Sequence, residues 1–230
     1  MLTAIGLRKV YVGGDGQPIE VLTDVNLEVR RGEFVAIVGE SGTGKSTLLH
    51  LLGALDRPTS GEVRLDGQSY GESTPTDLAV ARNRKIGFVF QFHHLLREFT
   101  ARENVAMPLL IAGVPEADAL RRAEELLTTV GLGPRLSHRP TQLSGGEQQR
   151  VALARALATD PLVVLADEPS GNLDHRNSER LHDLLAGMAR DLETALVIVT
   201  HNRLLAARAD RVLTLEDGRL IPVPGVEAMP

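Results

Sequence analysis

An α/β fold, in which a largely parallel sheet is joined by an antiparallel layer and interrupted by a helical insert, is what three features of this sequence predict. The apolar run Phe34 to Val38 leads through a Gly-rich turn into the apolar-periodic segment Thr47 to Leu55, which reads as strand, turn and helix. Two further unbroken apolar runs, Leu162 to Ala166 and Ala195 to Val199, have the character of strands buried on both faces, and hence of a parallel sheet. Between Phe92 and Pro140 the spacing becomes helical, with Leu120, Ala123, Leu127 and Val130 on one face.

A chain of 230 residues with 43% hydrophobic content can bury a substantial core, so disorder is excluded as the default. The formal charge of -5, with no block of like charges, disfavours a nucleic-acid or lipid-headgroup partner. No apolar run reaches the roughly 18 residues a spanning helix needs; Val105 to Val114 is interrupted by Pro108. Met1 to Val10 lacks a basic region followed by an apolar core, and there are no cysteines, so a cytoplasmic location is expected.

In chain order, Ala4 to Val10 and Val21 to Val29 read as strands bracketing the turn Gly13-Gly14-Asp15-Gly16, which suits an antiparallel layer beside the core. Tyr11 closes the first of these strands, where its ring has two readings: stacking on a base, or ordinary surface packing. The turn that follows Val38 is Gly39, Glu40, Ser41, Gly42, Thr43, Gly44, Lys45 and Ser46. This spacing of two glycines, a lysine and a hydroxyl has a mechanism: small residues let backbone N–H groups curl around a phosphate, and the start of the next helix adds partial positive charge. Lys45 then reaches the outer phosphates and Ser46 binds Mg²⁺, so the chain is expected to bind a nucleoside triphosphate.

Arg57 to Gly61 forms a turn, Glu62 to Leu65 a short strand, Thr76 to Asn83 a short helix, and Ile86 to Phe90 a buried strand that delivers Gln91. An amide there either coordinates a metal or a water, or caps a loop. The helix bearing Leu120 to Val130 ends at Gly131, a natural site for a left-handed residue. His93 and His94, adjacent and without a nearby acidic cluster, do not read as a metal site. Ser144 and Glu147 form a capping box at the next helix start. Gly145 and Gly146 in its first turn cost roughly 1 kcal/mol each relative to alanine, so something else must require them, and a bare helix end is a second anion site. Leu162 to Ala166 presents Asp167 and Glu168 at a strand's carboxyl end, suited to holding a metal and to activating water respectively. The turn Ser170 to Asp174 and a helix to about Arg190 follow. Thr200 and His201 close the strand Ala195 to Val199, with His201 either structural or catalytic, and Arg211 to Val223 forms a terminal hairpin around Glu216-Asp217-Gly218.

Taken in order, Tyr11, the phosphate loop, Gln91, Leu143 to Arg150 (LSGGEQQR), Asp167-Glu168 and His201 resemble the nucleotide-binding subunits of ATP-binding-cassette transporters over essentially the whole chain. The resemblance implies a RecA-like core at residues 1–91 and 159–230, including an antiparallel β subdomain, and an inserted α-helical subdomain at residues 92–158. It implies ATP and Mg²⁺ as cofactors, with Tyr11 stacking on adenine and Gly39 to Thr47 holding the phosphates. Ser46, Gln91 and Asp167 are then associated with the metal, Lys45, Gln91, Glu168 and His201 with catalysis, Glu168 being the base and His201 the γ-phosphate switch. Ser144, Gly145 and Gly146 are implied to contact the nucleotide of a second protomer, and Asp174 to end a turn at the dimer contact.

Within that family, residues 48–53, 90–96 and 103–110 look like the ATPases of lipoprotein-releasing systems of Gram-negative bacteria; macrolide exporters and cell-division ATPases are close relatives. The implied unit is a homodimer on the cytoplasmic side of the inner membrane, touching the membrane only through integral-membrane transporter subunits. Phe92 to Phe99, flanked by Arg97 and Arg102, is the expected socket for them. Arg97 stands where proline is expected and Ser170 where threonine is usual.

Overall fold

In the computed structural model, which describes residues 1–227, the chain begins with two long antiparallel strands, β1 (Leu2–Val12) and β2 (Pro18–Val29). Both are longer than the alternation of apolar residues suggests, because three register shifts along β1 break the alternation without ending the pairing. β3 (Phe34–Val38) leads into α1 (Lys45–Leu52). β4 (Ser60–Leu65) and β5 (Gln68–Ser69) complete a four-stranded sheet of order β2-β1-β4-β5. α2 (Pro75–Lys85) starts from a Thr74–Asp77 capping box and runs straight into β6 (Ile86–Val89).

Three helices follow: α3 (Ala101–Ile111), α4 (Glu116–Thr129) and α5 (Gly145–Ala156). Asn104, fully buried on α3, ties the preceding loop down. Its Oδ1 accepts from Leu96 N, and its Nδ2 donates to the carbonyls of Leu96, Phe99 and Thr100. The chain then returns through β7 (Val163–Asp167), α6 (His175–Asp191), β8 (Ala195–Val199), α7 (Arg203–Ala206) and the hairpin β9 (Arg211–Glu216) and β10 (Arg219–Glu227).

The second sheet has the order β10-β9-β3-β8-β7-β6, with β9, β3, β8, β7 and β6 mutually parallel. It is buried on both faces, which explains its unbroken apolar runs. Val35, Ile37, Val163, Leu165, Val197 and Val199 pack with α1 and the antiparallel sheet, whereas Phe34, Ala36, Val164, Ala166, Leu196 and Ile198 pack with the helical insert and α6. The insert is seated directly on the sheet at Gly87. A Cβ on that residue would lie 2.3 Å from the carbonyl oxygen of Ala156 at the end of α5, so only glycine allows this approach.

Candidate active site

Parallel pairing brings the carboxyl ends of β3, β8, β7 and β6 to one edge of the sheet. Ile37 is level with Val199, Val199 with Asp167, and Ala166 with Val89. The segments that leave these strands therefore converge, and ligands of open α/β sheets bind at such an edge. A cavity of about 720 Å³ lies there, lined by the phosphate-loop residues other than Thr43 together with Gln91, Asp167, Glu168 and His201. Residues spread from Gly39 to His201 thus share one space.

The loop is closed by its own lysine. Lys45 Nζ donates to the carbonyls of Gly39 (2.9 Å) and Glu40 (2.6 Å), and the side chain is nearly buried. Gly44 caps α1 in a left-handed conformation (φ 99°) and offers no side-chain acceptor, so the first N–H groups of the helix are left for a ligand. A Cβ there would also strike Val21 at 2.7 Å. Ser46 and Asp167 line the same part of the cavity, and the Asp167 carboxyl is pushed above its usual range first by burial and then by the adjacent Glu168 charge, against the opposing pull of Ser46, His50 and Lys45. Hydroxyl, carboxylate and the Gln91 amide form an oxygen-rich donor set of the kind a hard divalent cation takes. Among the described residues no group of three or more His, Asp or Glu is arranged to hold a metal.

Glu168 turns out of β7 in a left-handed conformation (φ 43°) while its N–H donates to Val199 O, which swings its side chain onto the end of β8. Thr200 Oγ1 donates to Oε2 (2.9 Å); the backbone N–H of His201 (2.9 Å) donates to Oε1, and His201 Nδ1 lies 2.7 Å from that same oxygen. A carboxylate only accepts, so Nδ1 carries the proton. Gln91 is held by Asn172 through a reciprocal pair, Gln91 Nε2 to Asn172 Oδ1 (3.3 Å) and Asn172 Nδ2 to Gln91 O (3.2 Å). The preceding carbonyl, Phe90 O, accepts from the buried Gln149 of α5. Sequence reasoning missed Thr200 and Asn172 as parts of this site; their only signal was adjacency to His201 and Gly171.

Tyr11 stands outside the cavity lining, close to Thr47, which does line it. Its hydroxyl donates to Asp56 (2.8 Å), and Lys9 Nζ sits 4.7 Å from the ring centroid while pairing with Asp56 at 2.7 Å. One ring face is thereby covered by a cation. Ser144, Gly145 and Gly146 do not line the cavity at all. The Ser144 hydroxyl and N–H both bond Glu147, whose carboxyl these bonds and Arg135 lower to about 2, its partial burial acting against them. Gly146 approaches Asn177, but a Cβ on the exposed Gly145 would meet only Leu173, at 3.9 Å. Among the described residues, nothing within 4 Å requires glycine at that position. Asp174 caps α6 by accepting from Asn177 N (2.9 Å).

Comparison with known proteins matches residues 22–171 to the family described as ABC transporter. This chain belongs to the ABC transporter family. It is 55% identical to the lipoprotein-releasing system ATP-binding protein LolD of Geobacter metallireducens, over 96% of this chain and 98% of that one. It is 56% identical to LolD of Bordetella pertussis, over 96% and 95% respectively. Among solved structures it is similar to the ATP-binding cassette MJ0796, in a dimeric post-hydrolysis state bound to ADP and Pi, with a TM-score of 0.91 and 38% identity over the full length of both chains.

Proposed function

We propose that this protein hydrolyses ATP as the nucleotide-binding subunit of a transporter that releases lipoproteins from the inner membrane. The observation that carries the hydrolytic part is Glu168, held by Thr200 and His201 in the same cavity as the phosphate loop and Asp167. A carboxylate whose orientation is fixed by three donors is equipped to orient a water and accept its proton. In this reading the bare N–H groups of α1 and Lys45 hold the phosphates, Tyr11 offers its uncovered face to the adenine, Gln91 senses the γ-phosphate and His201 contacts it. Mg²⁺, held by Ser46, Gln91 and Asp167, would neutralise phosphate charge.

The active unit is a homodimer in which Ser144, Gly145 and Gly146 serve the partner's nucleotide. The unneeded glycine at position 145, on an exposed helix end outside the chain's own cavity, favours this. The division into a core at residues 1–91 and 159–230 and an insert at 92–158 follows the same reading, as does attachment to the cytoplasmic side of the inner membrane through LolC- and LolE-like subunits. Phe92 and Leu96 are exposed on a loop that Asn104 fixes to α3 and that Arg155 fixes to α5 by donating to His93 O and His94 O. Such a loop moves as one piece with the insert and offers an apolar surface to a membrane protein.

In cells depleted of this protein, lipoproteins are expected to remain at the inner membrane until the wild-type chain is restored. Glu168→Gln, which keeps the shape of the site, is expected to bind ATP, to turn it over at least about a hundredfold more slowly, and to fail to restore sorting. Wild-type turnover by that variant refutes the assignment of the base; normal sorting in depleted cells refutes the cargo.

A further inference from the structure

The turn between β7 and α6 carries both ends of the chemistry. Gly171 N donates to Glu168 O and Leu173 N to Ser170 O, while Asn172 clamps Gln91. Glu168, at the head of the turn, and His201 line both the phosphate cavity and a second cavity of about 250 Å³, whereas Ser170, Gly171 and Leu173 line only the second. A turn with open space beside it holds its position only if something anchors it.

The anchor comes from α6. His182 is 1% exposed, and its Nε2 lies 3.0 Å from Ser170 Oγ, which is itself buried. Among the described residues no other side chain bonds that hydroxyl. The other ring nitrogen, Nδ1, has no partner within the described chain. Burial holds the ring below its usual pKa, and Arg208, held by Asp183, adds to this against Glu179 and Asp183, so the ring is neutral and free to donate or accept at Nε2. An imidazole is an unfavourable way to fill a core position on an amphipathic helix when a leucine would pack there without an orphaned polar atom.

We propose that His182 is a positioning residue for ATP hydrolysis: through Ser170 it fixes the turn that sets the attitude of Glu168 and the resting clamp on Gln91. The proposal rests on Glu168 being the base. His182 itself touches no part of the phosphate cavity, so it acts on orientation, and its loss is expected in turnover more than in ATP binding.

The test compares ATP turnover and KM in the full-length protein for wild type, His182→Leu, His182→Gln, Ser170→Ala and Glu168→Gln. His182→Leu and Ser170→Ala are each expected to lower kcat roughly tenfold while KM for ATP stays within about twofold. His182→Gln, whose terminal amide reaches the same hydroxyl, is expected to recover most of that loss, and His182→Leu combined with Ser170→Ala is expected to cost no more than either alone. Should His182→Leu unfold the chain, the smaller Ser170→Ala change carries the test. Wild-type kcat in Ser170→Ala and His182→Leu, alongside a dead Glu168→Gln, overturns this proposal alone; a fully active Glu168→Gln overturns the reading beneath it. Equal losses in His182→Gln and His182→Leu show that the residue fills space, and also overturn it.

Discussion

Thr200→Val is a nearly isosteric change that tests whether the Glu168 carboxylate is held as the geometry indicates. Thr200 is fully buried, so solvent cannot replace its hydroxyl. That hydroxyl makes two bonds, donating to Glu168 Oε2 (2.9 Å) and accepting from Asn202 N (3.0 Å). A hydrogen bond to a charged group contributes about 1.5–3 kcal/mol and a neutral one about 1 kcal/mol. The added methyl returns a little under about 1 kcal/mol of transfer free energy. Since both remaining donors sit on Oε1, Oε2 is left bare, and a net loss of about 2–3 kcal/mol is expected. For a chain of this length that lowers Tm by about 4–12 °C, read by thermal unfolding of the nucleotide-free protein. The sharper assay is a double-mutant cycle with Glu168→Gln. An uncharged amide makes only the weaker bond, so Thr200→Val is expected to cost at least about 1 kcal/mol less in that background. Equal shifts in both backgrounds, or a Tm change below about 2 °C, refute the reasoning.

Gly87→Ala places a Cβ 2.3 Å from Ala156 O and forces α5 off β6; a loss of about 1–3 kcal/mol is expected, and an unchanged Tm would show that the insert is not seated there. Stability is also expected to fall as pH drops below about 6.5. Burial, in each case the leading cause, holds His93 and His182 below the ordinary histidine range, so the unfolded chain takes up protons that the folded chain resists. Above that pH both states are neutral at these rings and the contribution is flat. Glu147, at about 2, acts in the same direction only below its ordinary value of 4.5. Urea midpoints at about pH 7.5, 6.5 and 5.5 check this, and His182→Gln is expected to flatten the slope.

The parallel sheet was legible because its strands are buried on both faces and leave unbroken apolar runs such as Ala195 to Val199. The ends of elements were less so. α1 begins at Lys45, two residues before the apolar periodicity starts, because the polar Lys45 and Ser46 line the cavity and leave no apolar signal; it ends at Leu52, where Gly53 caps it. The residues that hold the site were hidden for a different reason. Thr200 is an ordinary strand residue in sequence, and its partner lies 32 positions away. His182 looks like one more polar residue on an amphipathic helix until the fold turns it inward. Asn104, a polar residue in the middle of α3, becomes intelligible only once the loop it bonds is seen. Local pattern reports burial; it does not report which distant group a buried polar atom will meet.

The position of β3 has a further consequence during synthesis. Both its neighbours, β8 and β9, are made about 160 residues or more after it. At the usual ribosomal pace of about 5–20 residues per second, that leaves the strand bearing the phosphate loop unpaired for roughly 8–30 s. In that interval Phe34 to Val38 is a bare apolar edge, open to intermolecular strand pairing. A phosphate loop held on a paired strand is therefore available only after β8 and β9 have closed the sheet around β3. Any nascent chain that stalls before Ala195 is then a substrate for chaperones, with no working loop to protect it.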